Sequence, residues 1–166
     1  MVFYLNIPLA DPAARSYQIA YDIVYDMKER RIVLDTNVLI AALRSRRGCS
    51  NRLLSRVSID PFEIILSAPL VLEYEDVALR QLDVLPYTAD EIREIIDFLC
   101  RVGRPTAIFY LWRPCLRDPH DDLVLEAAVA GQADTIVTFN LRDFHGIERF
   151  GLQAQTPRTF LKEMHP

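Results

Sequence analysis

The stretch RIVLDTNVLIAAL, Arg31–Leu43, sets an acid at the junction of two apolar runs. Ile32–Leu34 reads as a buried strand and Val38–Leu43 as a helix, so Asp35 occupies a hinge where an unpartnered carboxylate is costly. Other acids fall at comparable places. Asp118, Asp121 and Asp122 open DPHDDLVLEAAVAGQ, Asn140 ends DTIVTFN, and Asp143 lies in the turn that follows. Glu73 comes shortly after the apolar run FEIILS. Carboxylates gathered in one place repel and raise one another's pKa unless a cation joins them. Hard divalent ions such as Mg²⁺ or Mn²⁺ suit oxygen ligands of this kind. The implied chemistry is metal-assisted attack of water on a phosphate.

Each acid also has an ordinary structural reading. Asp118 suits a helix N-cap with Pro119 at the first helical position. Asp121 and Asp122 in a first turn meet the positive end of that helix. Glu73 suits a solvated helix face, and Asp143 a turn. Asp35 resists such a reading, because it interrupts two buried elements with no basic residue beside it. Taken singly, most of these acids read as structural; taken together, they read as a site. No softer centre competes. His120, His145 and His165 lack a metal-ligand spacing, and the chain has no Ser/His/Asp order and no Gly-rich phosphate loop.

The elements that must position these acids alternate along the chain. Strand Arg31–Asp35 precedes a helix through about Arg44, and Leu53, Leu54 and Val57 mark a second helix over Ser50–Ser58. Phe62–Ser67 is strand-like, and Pro69 then suits the first turn of a helix through about Leu82. Thr88 with Glu91 forms a capping-box pattern for a helix to Arg101, ended by Gly103. The pattern continues with a strand Thr106–Trp112, a helix Asp118–Gln132, and a strand Asp134–Asn140. It closes with a weaker strand Leu152–Pro157 and a helix Arg158–Met164. Strands alternating with helices indicate a parallel α/β sheet covered on both faces. Ligands of such sheets bind outside the carboxyl ends of the strands, which is where the acids fall.

At 166 residues and 51% hydrophobic, the chain suits one well-buried domain. No apolar run approaches the ~20 residues of a membrane helix, and no basic region followed by an apolar core opens the sequence, so a cytoplasmic protein without membrane contact is expected. Cys49, Cys100 and Cys115 form no CxxC pair, which argues against a disulfide framework or a zinc site. The net charge of −4 speaks against a surface wholly given to nucleic acid. Yet Arg44, Arg46, Arg47, Arg52 and Arg56 crowd one segment, either a solvated face or a strip for phosphate backbone. Residues 1–26 stand apart as an extension. There ARSYQIAYDIVYDM places Tyr17, Ala20 or Tyr21, Val24 and Met27 along one helical stripe without adding a strand.

RIVLDTNVLIAAL, LSAPLVLEYEDVALR, RDPHDDLVLEAAVAGQADTIVTFNLRDF and the tail TPRTFL together resemble a PIN domain of the VapC-like toxin kind, over about Met27–Met164. The order and spacing of all four motifs carry the resemblance, which makes residues 27–166 the PIN domain. It implies a three-layer α/β/α sandwich with a mostly parallel five-stranded sheet. It also implies a Mg²⁺- or Mn²⁺-dependent endoribonuclease acting on RNA, a cognate antitoxin as inhibitor, and a homodimer. Carried over by motif, the catalytic and metal-binding acids are Asp35, Glu73, Asp121 and Asp143, supported by Thr36, Asn37, Asp118, Thr138 and Asn140. Asn140 stands where the family usually places its fourth acid, and Asp143 matches the variant in which the acid comes three residues later. With this resemblance, Arg44, Arg46, Arg47 and Arg52 become candidates for holding RNA backbone near the acidic edge.

Two other readings compete. Phosphoryl transfer through an aspartate requires a further acid near Asp35 and a lysine late in the sheet. The position two after Asp35 is Asn37, however, and the lysines Lys28 and Lys162 lie near the chain ends. A PIN fold that keeps an RNA- or protein-binding surface around a decayed centre is the second alternative, with Asn140 as its mark.

Overall fold

The structure, a computed structural model, describes residues 30–164. The expected N-terminal extension and its helical stripe lie outside the described residues. Five strands form one sheet: β1 (Arg30–Leu34), β2 (Phe62–Ser67), β3 (Arg104–Thr106), β4 (Thr135–Val137) and β5 (Gln153–Gln155), in the order β3-β2-β1-β4-β5. Every pairing is parallel, with Ile32 opposite Ile64 on one side of β1 and opposite Thr135 on the other. The helices are α1 (Thr36–Arg44), α2 (Cys49–Leu54), α3 (Ala68–Leu79), α4 (Ala89–Val102), α5 (Asp121–Ala130) and α6 (Pro157–Met164), with a short 3-10 turn at Ile147–Phe150. Ile32 and Val33 point to opposite faces of the central strand, and both are fully buried. Helices therefore cover the sheet on both sides, as expected of a parallel α/β fold.

The chain moves outward from β1 to β2 to β3 and then returns to place β4 on the other side of β1. The strand order thus reverses between β1 and β4, the position where open α/β sheets open a crevice at their carboxyl edge. Asp35 follows β1 there, and Thr138 follows β4. Local chemistry built most elements where the sequence suggested. The Thr88 side chain accepts from the Glu91 N–H while the Glu91 carboxylate accepts from the Thr88 N–H, completing the capping box of α4. Gly103 ends that helix in ordinary extended backbone. It is needed for space, since a Cβ there would sit 2.8 Å from Leu66 Cδ1 and 2.9 Å from the Leu99 carbonyl.

Two expectations require correction. The strand expected over Thr106–Trp112 is only Arg104–Thr106, an edge strand that tolerates Pro105, and the chain leaves the sheet at Thr106. Residues 107–117 instead run along α5, because two buried acids of that helix capture their amides. Glu126, 1% exposed, accepts from the Trp112 N–H and pairs with the Arg113 guanidinium through both oxygens, at 3.0 and 2.9 Å. Asp122, fully buried, accepts from the Cys115 and Leu116 N–H groups. These hydrogen bonds replace the ladder a strand would have made. The second correction concerns Asp118, which does not cap α5. Its carboxylate accepts from the His120 N–H two residues on, closing an Asx-type turn, and the helix starts at Asp121. Smaller differences are α2 ending at Leu54 and α3 at Leu79.

Candidate active site

Asp35 is buried at 5% exposure and answers for its own burial locally. It is the N-cap of α1: Oδ1 accepts from the Asn37 N–H at 3.2 Å. Oδ2 accepts from the Asn37 side-chain amide and from the Thr138 hydroxyl, both at 2.6 Å. Thr138 in turn accepts from the Asn140 N–H, and the Asn37 Oδ1 accepts from the Phe139 N–H. Asn37 and Thr138 therefore lock the carboxylate between the ends of β1 and β4. The fully buried Tyr74 of α3 donates its hydroxyl to the Leu34 carbonyl, fixing the backbone just before Asp35.

Six of the expected residues meet at one cleft of about 560 Å³: Asp35, Thr36, Asn37, Glu73 and Asn140, with Arg44 further along its wall. Beyond them the wall continues through Ile40, Ala41, Arg44 and Ser45 after Asp35, and through Val77 and Gln81 on the α3 side. Asp121 and Asp143 do not line this cleft, but they belong to the same electrostatic cluster. Burial raises the Asp121 carboxyl to about 7, and the charges of Asp35, Asp118, Asp143 and Asp122 add to the effect. Burial likewise raises Asp35, against the lowering effect of its bonds to Thr138 and Asn37, with the Asp143 charge adding to the rise. Neither Asp35 nor Asp121 forms an ion pair among the described residues. Acids from the ends of β1 and β4 and the start of α5 thus crowd together with no positive side chain between them.

The comparisons fit that arrangement. A family model described as the PIN domain matches residues 31–142, well over half of the chain. The chain belongs to the PIN-domain family. Among solved structures, the crystal structure of VapBC2 from Rickettsia felis bound to a DNA fragment from their promoter is similar in fold. The TM-score is 0.51 at 15% identity, covering 76% of this chain and 98% of that one. No curated protein sequence matches.

In this PIN domain Asn140, an amide that the motif resemblance sets at the fourth acid position, lines the cleft. Asp143 instead reaches the cluster through its charge on Asp35 and Asp121. Among the described residues no group of three acid, imidazole or thiol side chains converges tightly enough to hold an ion as placed. The donor chemistry nevertheless fits a hard divalent cation. All donors are carboxylate oxygens, their mutual repulsion is unrelieved, and Asp35 Oδ1 carries only one long backbone hydrogen bond. Asp35, Glu73, Asp121 and Asp143 are the residues that would hold it.

The arginines expected to act together are dispersed. Arg44 lines the cleft and donates to the side-chain amide oxygen of Gln81 at 2.7 Å. Arg46 lies over the Tyr87 ring at 6.0 Å, Arg56 pairs with Asp60, and Arg47 and Arg52 are exposed. Sequence reasoning missed Tyr74, Gln81, and the loop-holding roles of Asp122 and Glu126. Gln81 carries a readable signal, since Glu73, Val77 and Gln81 recur at intervals of four along one helical stripe. Glu126 carries one too: it is an acid amid the apolar run LVLEAAVA.

Proposed function

We propose that this PIN domain is a divalent-metal-dependent endoribonuclease, Mg²⁺ or Mn²⁺ being the ion, and the toxin of a toxin–antitoxin pair acting in the cytoplasm. The observation that carries the reading is the unrelieved crowding of Asp35, Asp121 and Asp143 at the switch point of the sheet. PIN domains are in general nucleases, and VapBC2, similar in fold, supports an antitoxin partner as a proposal for this chain; the homodimer is proposed from the motif resemblance alone. A cation bound among these acids supplies a more acidic water and neutralises charge developing on the phosphate.

The chain's own residues do the rest. Asn37 and Thr138 hold the Asp35 carboxylate in one orientation, so that its Oδ1 edge stays available. Glu73 faces the same cleft from α3, and Arg44 stands at its outer end, where its charge offsets the negative field that RNA would otherwise meet. Arg46, Arg47 and Arg52 follow in the chain but do not line the cleft, so among these four arginines the role falls to Arg44. Asp121, raised to about 7, is poised to exchange a proton near neutrality when no cation is bound.

The test is cleavage of a mixed set of single-stranded RNAs with Mg²⁺, Mn²⁺ or EDTA, by wild type and Asp35→Asn. Metal-dependent cutting that disappears in the variant is the expected result. Folded wild type that cuts nothing with either metal overturns the reading and favours a decayed binding module, the one alternative that Asn140 in the cleft recommends.

A further inference from the structure

We infer that the outer half of the Asp35 cleft is a nucleobase subsite selective for guanine, read by Arg44 and Gln81. The inference rests on the nuclease reading and names what that site would recognise. Two facing helical stripes leave the acids with the same order of chemistry. On α1, Ile40 and Ala41 come first and Arg44 follows; on the α3 side, Val77 comes first and Gln81 follows, in the turn that continues the helix. The cleft is therefore anionic at Asp35 and Glu73, apolar in the middle and planar-polar at its far end. From Asn37 to Arg44 the helix rises about 10 Å, a span that a ribose and its base bridge outward from a phosphate held at the acids. The apolar middle suits the face of a base, and the planar ends suit its edge.

The hydrogen bond between the two planar groups decides which edge. Arg44 Nη2 donates to Gln81 Oε1 at 2.7 Å, which takes one of the two lone pairs of that amide oxygen and turns its Nε2 hydrogens away from the arginine. What remains is a rim rich in donors, the Gln81 Nε2 hydrogens and the other guanidinium N–H groups, against a single lone pair on Oε1. Guanine offers two adjacent acceptors, O6 and N7, whereas adenine sets a donor beside N7 and cytosine exposes the N4 donor. A donor-rich rim therefore matches the paired acceptors of guanine better than adenine, cytosine or the single O4 acceptor of uracil. Another groove, between α2 and α4, is lined by Glu91, Glu94 and Asp97 with Arg101, and its acidity does not suit a nucleotide.

The experiment titrates the full-length chain with GMP, AMP, CMP and UMP in Mg²⁺, followed by ligand-observed NMR, alongside fragment-end mapping of cut RNA. Wild type is expected to bind GMP about tenfold more tightly than AMP, the discrimination of one good base-edge contact. Gln81→Leu is expected to erase that preference. Gln81→Glu, which turns the amide donors into acceptors, is expected to erase it too; circular dichroism confirms that both variants fold. Equal binding of the four nucleotides, no binding of any, or a preference that survives Gln81→Leu overturns the subsite. The two readings fail separately. Cutting without a shared guanine near the scissile bond removes the subsite and leaves the nuclease. GMP-selective binding without any cutting keeps the subsite and removes the nuclease.

Discussion

Asp121 is the side chain whose protonation depends most on its neighbours. Folded, it holds its proton up to about 7, whereas the unfolded chain releases it near 3.8. Between those values the folded state binds more protons, so stability falls as pH rises through that window and levels off above it. Asp121→Asn removes this dependence. Metal-free variant protein is expected to be more stable than wild type at pH 8 by about 1–2 kcal/mol, roughly 3–8 °C in melting temperature, and equal to it near pH 4. Melting curves across pH in EDTA check this. Asp35→Asn is expected to behave differently, since its carboxylate accepts from Thr138, Asn37 and a backbone amide. There the gain from removing a buried charge is offset by weakened bonds, while metal-dependent cleavage is lost. At this level the sequence was informative about identity: Asp35, Glu73, Asp121 and Asp143 were all nameable from motif positions. The motif resemblance chose Asp121 over Asp122 without a physical reason for the choice. The two are adjacent, yet helical geometry points one at the acidic cluster and the other at the amides of Cys115 and Leu116.

The strap of residues 107–117 is the element the sequence misread, and it is held from α5 rather than by the sheet. Glu126→Ala leaves the Trp112 amide and the Arg113 guanidinium without their partner, a loss of about 1–3 kcal/mol. Trp112 is the single tryptophan of the chain, so urea unfolding followed by its fluorescence reports the strap directly. The expected result is a lower midpoint and a red-shifted native emission, with Glu126→Gln milder because it keeps an acceptor for the Trp112 amide. Helix α5 also depends on its end. Gly131 has ordinary backbone angles, but a Cβ there would meet Ile65 Cγ2 at 2.2 Å and the Ala127 carbonyl at 3.0 Å. Gly131→Ala is expected to cost about 1–3 kcal/mol as overpacking, and Ile65→Ala in the same chain should restore part of it. Equilibrium unfolding of the two single variants and the double variant measures that coupling. Alternation of apolar runs foretold nearly all the elements, because buried parallel strands and amphipathic helices leave a mark in composition. An edge strand of three residues leaves almost none, and AIFYLW looks like a strand by every local criterion.

Across the whole molecule, the strand order decides that these acids meet. Only because β4 returns beside β1 do Thr138 and Asp143 come within reach of Asp35. A cation that relieves this crowding binds the folded chain alone, so saturating Mn²⁺ is expected to raise the melting temperature by about 5–10 °C at ~100 times its dissociation constant. EDTA should reverse the rise, and Asp35→Asn should show none; a wild-type protein indifferent to Mn²⁺ would count against the metal site. The sequence by itself determined the alternating α/β pattern and the family, and it named the candidate acids, because these are written in local periodicity and in short motifs. Tertiary structure alone decided which acids are shared and which are structural, where the arginines go, and that Arg44 meets Gln81. Those outcomes depend on distances between residues far apart in the chain. Such distances follow from sheet order and helix packing, which no local stretch encodes.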